Sequence, residues 1–158
     1  NKIVFNFVIM SRVDFYLLSD ESNMHKFACI IASKAWSAGN YVYMYTESED
    51  VTKRMDNLLW TFRDISFIPH EIYNETENNG TPVTIGHGDR FPNHSQVMIN
   101  LDNKVPEFAN KFNRIIEIVE SNEKKKEIAR QRYRQYKKGD YEIHNHKIDN
   151  LKEFYQSK

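Results

Sequence analysis

Between Glu123 and Lys138 the chain gathers eight basic residues, Lys124, Lys125, Lys126, Arg130, Arg132, Arg134, Lys137 and Lys138, against two acidic ones, Glu123 and Glu127. The chain as a whole carries 22 basic and 22 acidic side chains, so the remainder is net acidic. Strong helix formers fill the run, and the first glycine, Gly139, falls where a helix C-cap would. At helical spacing Lys126, Arg130, Tyr133 and Lys137 share one face, which sets cations beside an aromatic ring. Ile128, Ala129, Arg132 and Tyr136 lie elsewhere on the wheel, Ile128 and Tyr136 being the expected core contacts. Guanidinium forks next to a ring suit a partner that is anionic and partly apolar, either an acidic peptide or a nucleic acid. A solvated basic helix has the same composition, so the run alone leaves the partner open.

Other chemistry is poorly supported. The turn after the first apolar run is SDESNM, without a glycine to bring backbone amides onto a phosphate, and neither a G-x-G-x-x-G nor a G-x-x-x-x-G-K-[ST] motif occurs. No nucleotide cofactor is expected. A G-x-S-x-G nucleophile elbow is also absent. Cys29, the single cysteine, sits inside the apolar helical pattern FACIIASKAW and reads as a buried, inert thiol. His87, Asp89 and His94 share one loop, and His144 and His146 flank Asn145, but these spacings fit no standard zinc pattern. They read as loop histidines in solvent, with no metal expected. His70, after Pro69, reads as a local hydrogen-bonding residue, and an enzyme built on His70, His87 and Asp89 is a remote alternative.

At 158 residues, with 40% apolar and 13% aromatic side chains, the chain suits one globular domain with a real core. Without an intrachain disulfide, and with an apolar N-terminal stretch too short to span a bilayer, a cytoplasmic location and no membrane association are expected. Residues 1–9 read as an extension before Met10, residues 10–148 as the domain, and 149–158 as a charged tail, extended or a frayed helix. Within the domain, 13–18 reads as a strand, with Ser19 and Asp20 offering N-cap chemistry to a helix that runs to Ala38. Its apolar positions Met24, Phe27, Ala28, Ile31, Ala35 and Trp36 follow a 3.6 period, and Gly39 with Asn40 stops it. Residues 41–45 form a second strand and 48–60 a second helix, with Val51, Met55, Leu58 and Leu59 inward.

Phe67 and Ile68 read as a short strand ended by Pro69, and 71–81 as a polar loop. Strands follow at 82–85, 96–101 and 114–119, with a loop at 86–94 and a helix at 105–112 that carries Pro106 in its first turn. The basic helix is expected to complete the fold. The alternation implies an α/β domain, three-layered and Rossmann-like, with a mostly parallel sheet of five or six strands and no phosphate-binding loop.

Several of these segments together carry a family signature. FYLL at 15–18, AxxAWxxGxxVxxY at 32–45, LLWTF at 58–62, SFIPH at 66–70, TPVTI at 81–85, VMINL at 97–101 and ARQRYRQYK at 129–137 follow in order. Over residues 12–143 the chain resembles the chi subunit of bacterial DNA polymerase III. The resemblance implies a non-catalytic accessory protein that pairs with the psi subunit of the clamp loader. It also implies a grip on the acidic C-terminal tail of single-stranded DNA-binding protein, with a repair helicase as a further possible partner and no sequence-specific DNA contact. Carried over by residue, Lys126, Arg130, Tyr133 and Arg134 take the tail-binding positions, Val119 supplies an apolar wall, and Lys124 adds to the positive field. Phe67 matches an aromatic position of the psi-facing surface, to which Trp60 is a further candidate contributor. On residue type alone Trp60, ending a helix, is expected to pack inward. The alternative class is a single-stranded nucleic-acid-binding module using Tyr133 or Tyr136 for stacking, against which stands the zero net charge.

Overall fold

The computed structural model describes residues 10–19, 23–62, 65, 67–76, 80–94, 96–150 and 154. The extension at 1–9, Asp20 as a cap, Ser66 of SFIPH and most of the tail at 149–158 lie outside the described residues.

Alternating apolar segments of the two periods build the expected architecture. β1 (Ser11–Leu18) leads to α1 (Met24–Ser37), β2 (Val42–Tyr45) and α2 (Glu49–Thr61). After them come β3 (His70–Ile72), β4 (Val83–Gly86), β5 (Val97–Asn100), β6 (Arg114–Val119), α3 (Glu123–Lys138) and β7 (Tyr141–Ile148). Among the described residues the sheet has seven strands in the order β3-β4-β2-β5-β6-β1-β7, and every pairing is parallel. The interior strands β2 and β5 are buried at every position, as a sheet covered on both faces demands. On one face α1 and α2 pack over Tyr16, Met44, Ile85 and Ile116. On the other, α3 and the segment around Phe108 and Phe112 cover Phe15, Tyr43, Met98 and Ile115.

Each helix begins at a side-chain cap. Asn23 accepts from the amides of His25 and Lys26, and so takes the role expected of Ser19 and Asp20. Ser48 accepts from Val51, and Asn122 from Lys125. α3 stops at Gly139, where a Cβ would stand 2.9 Å from the Tyr141 ring. Glycine there lets the chain turn at once into β7.

Four expectations are corrected. The sheet has seven strands, because residues 141–148 add one beyond the basic helix. YEIHNHKI carries little strand signal because an edge strand needs only part of its side chains buried, and here only Ile148 is fully so. The short strand near Pro69 begins after the proline, at His70, where amides are again available to pair with β4. Glu71 and Ile72 therefore belong to a strand rather than a loop. Residues 105–112 form a single 3₁₀ turn at Ala109–Lys111, with Ala109 N–H donating to the Pro106 carbonyl and Phe112 N–H to that of Ala109.

Candidate functional site: a basic cleft at the ends of three strands

The rotation of α3 is set from inside the protein. Glu117 lies fully buried on β6, and its carboxylate receives Arg132 Nε at 2.8 Å, the Tyr136 hydroxyl at 2.6 Å and Asn100 Nδ2 at 2.8 Å. Burial pushes this carboxyl up, and the three donors with the Arg132 charge oppose that rise. With Ala129, Arg132 and Tyr136 facing the sheet and Ile128 only half-buried, the opposite side of α3 turns outward. Tyr133 sits at the boundary, its ring 5.5 Å from that of Phe15.

Where β1, β6 and β7 end, α3 and the sheet enclose an open cleft of about 570 Å³. Parallel α/β sheets place ligand sites at the carboxyl ends of their strands, and this cleft obeys that rule. Its floor is apolar, with Phe15 and Leu17; Leu17 is exposed, which is costly for a large apolar side chain unless something covers it. Of the residues singled out from the sequence, Val119, Lys126, Arg130 and Tyr133 meet in this cleft. Val119 is buried and so serves the core as well as the wall. Arg134 and Lys124 are exposed on α3 without lining it. Glu127 holds Arg130 at 3.0 Å and Arg134 at 3.7 Å, both exposed pairs that yield readily to a competing anion. The opposite wall, Asn145 and Lys147 of β7 with Asp149 just beyond it, is not among the residues singled out from the sequence, because no element is expected after the basic helix.

The second surface is aromatic. Trp60 and Phe67 are each 58% exposed, with ring centroids 5.3 Å apart. Trp60 does not pack inward as expected: Leu59 takes the buried side of α2, and one residue further the helix has turned by about 100°. Phe67 is thrown outward by the turn into β3. Beneath them His70 is buried, its Nδ1 donating to the Ile68 carbonyl at 2.8 Å and its ring 4.6 Å from Trp60. His70 is thus the local hydrogen-bonding residue expected of it.

The remaining histidines are not simply solvated. His94 packs edge-on against Tyr41 and Phe112, and burial pushes it down to about 4. His87 Nδ1 lies 3.3 Å from the Thr52 hydroxyl. His144 is paired with Glu142, while His146 reaches Asp14 at 2.7 Å and stacks on Tyr16. Among the described residues no cluster of three or more His, Cys, Asp or Glu could hold a metal ion. Cys29 is buried, and burial pushes its thiol up to about 12, so it is no nucleophile. No helix among the described residues is long and apolar enough to cross a membrane.

A parallel α/β domain that offers a basic cleft with an apolar floor, and an exposed aromatic pair on another side, belongs to the class of domains that present docking surfaces. The family model described as DNA polymerase III chi subunit, HolC, matches residues 10–144. The chain is 34% identical over 144 residues to DNA polymerase III subunit chi of Pseudomonas aeruginosa, covering 90% of this chain and 100% of that one. To the subunits of the same name it is 32% identical over 124 residues in Haemophilus influenzae (77% and 86% covered) and 30% over 135 residues in Escherichia coli (81% and 92% covered). The chain belongs to the DNA polymerase III chi subunit family, as its motifs suggested. The name is that of an accessory subunit in DNA replication rather than of a catalytic one.

Proposed function

We propose that the chain is a non-catalytic accessory subunit of the polymerase III holoenzyme that links the clamp loader, through psi, to single-stranded DNA-binding protein by gripping its acidic C-terminal tail. The observation that carries this is the convergence of Lys126, Arg130, Tyr133 and Val119 on one cleft with an apolar floor. A peptide ending in an apolar residue with a free carboxylate needs a fork for the carboxylate, a greasy slot for the side chain and a positive field around both. Arg130 is the fork, exchanging Glu127 for the incoming carboxylate. Tyr133, Val119 and the floor form the slot, and Lys124, Lys126 and Arg134 supply the field that speeds encounter. On the other side, Phe67 and Trp60 form the anchor for psi.

Calorimetric titration with an acidic, Phe-terminated peptide tests the tail site. Arg130→Ala should lose about 2 to 5 kcal/mol of binding, enough to abolish a micromolar interaction, while melting at the wild-type temperature. Arg130→Lys should recover only part of it, because an ammonium cannot fork. Full-strength binding by Arg130→Ala would remove this residue from the site. Salt-sensitive binding of bare single-stranded DNA, with none of the peptide, would instead favour a nucleic-acid module.

A further inference from the structure

The basic helix is only one wall of the cleft; the other is β7. Its register on β1 sets Asn145 beside Phe15 and Lys147 beside Leu17. Strand alternation puts these side chains on the face that α3 covers, and all four line the cleft. Three cations line it: Arg130 is engaged by Glu127 at 3.0 Å, whereas Lys126 on the helix and Lys147 on the strand form no ion pair among the described residues. The two unpaired ammonium groups therefore belong to opposite walls. Asp149 is the one acid among the lining residues, and it follows the end of β7, two residues beyond Lys147.

We propose that Lys147 is a further cation of the peptide site, holding an acidic side chain upstream of the carboxylate that Arg130 takes, so that the bound segment lies across the cleft from α3 to β7. This rests on the tail-site function above. An ammonium on a flexible stem reads charge rather than geometry, which suits it to a run of acidic side chains and not to a single oriented carboxylate. Two unpaired cations on facing walls select for a segment with several acids, which a lone arginine would not. Asp149 sets a like charge past Lys147 and limits how far an acidic run can extend along β7.

Fluorescence anisotropy with a labelled acidic, Phe-terminated peptide, measured over a range of salt, tests this. Lys147→Ala should weaken binding by about fivefold and Lys147→Glu by roughly tenfold or more, with a shallower salt dependence. Lys147 is exposed, so both variants should melt at the wild-type temperature. A second peptide with its upstream aspartates replaced by serine should bind wild type and Lys147→Ala equally. If the loss persists with the serine peptide, Lys147 acts on the shape of the cleft rather than on charge, and the proposal fails. If Lys147→Glu binds the acidic peptide as wild type does while Arg130→Ala loses it, Lys147 is no part of the site although the tail site stands. If Arg130→Ala also binds undiminished, the tail site itself is wrong.

Discussion

At the scale of single residues, the side chains that matter are those whose positions make little sense for a chain acting alone. Leu17 is 40% exposed at the floor of the cleft, and Trp60 and Phe67 are each 58% exposed beside one another. Large apolar groups of this kind, rimmed by polar ones, are where partners anchor. Phe67→Ala should weaken binding to a psi-like partner by about 2 kcal/mol or more, as truncation of a central aromatic anchor does. Because the ring is exposed, the melting temperature should stay near wild type. A pull-down or calorimetric titration decides, and undiminished binding would move the psi surface elsewhere. The proposals for Arg130 and Phe67 start from motifs in the sequence, and the structure adds that one lines the cleft and the other is exposed. The pairing of Arg132 with Glu117 is not legible in the sequence, because the partners come from different elements. A signal is present nonetheless: Glu117 is the lone acid inside the apolar run RIIEIV, and Arg132 lies off the helix face that carries Lys126, Arg130 and Lys137.

At the scale of elements, α3 shows how a charged helix is held in place without giving up its charged face. The buried cluster of Glu117, Arg132, Tyr136 and Asn100 fixes its rotation, and the cleft exists because of that rotation. Breaking a buried ion pair by removing one partner leaves an uncompensated charge, so Arg132→Ala should cost about 3 to 5 kcal/mol of stability in urea denaturation. Since the side chain does not line the cleft, a variant that still folds should also bind peptide more weakly by letting α3 turn. An Arg132→Ala chain as stable as wild type would contradict the role given to this cluster. α3 itself was legible because its composition, period and terminal glycine are all local. β7 was not, since an edge strand of mixed polar residues declares itself only through its neighbour β1. Likewise β3 escaped because the proline looks like the end of pairing when in fact pairing starts just after it.

At the scale of the whole molecule, the sheet is tied together at one edge by a buried acid. Asp14 on β1 receives Arg12 from its own strand at 3.0 Å, Arg114 from β6 at 2.8 Å and His146 from β7 at 2.7 Å. Burial alone would raise this carboxyl, but the hydrogen bonds from Arg12, His146 and Arg114 outweigh it and hold the group at about 2. The folded value lies below the unfolded one of about 3.9, so the stabilisation is fully present above roughly pH 4 and is lost as pH falls through about 2. Its size is on the order of 2 kcal/mol. Urea midpoints between pH 5 and pH 2 should fall more steeply for wild type than for Asp14→Asn, and parallel curves would contradict this assignment.

The parallel α/β class was readable from the alternation of apolar periods, and the lack of a phosphate loop from plain inspection. The seventh strand and the second wall of the cleft depend on contacts between residues more than a hundred positions apart, which no local pattern records. On the proposed function, the cleft recognises the free C-terminal carboxylate of an acidic segment. Calorimetry of the unaltered chain with two acidic, Phe-terminated peptides, identical except that one is amidated at its C-terminus, tests it most directly. The free-acid peptide should bind and the amidated one should bind at least about tenfold more weakly, since the charge that Arg130 forks is gone. Equal binding of the two peptides would contradict it.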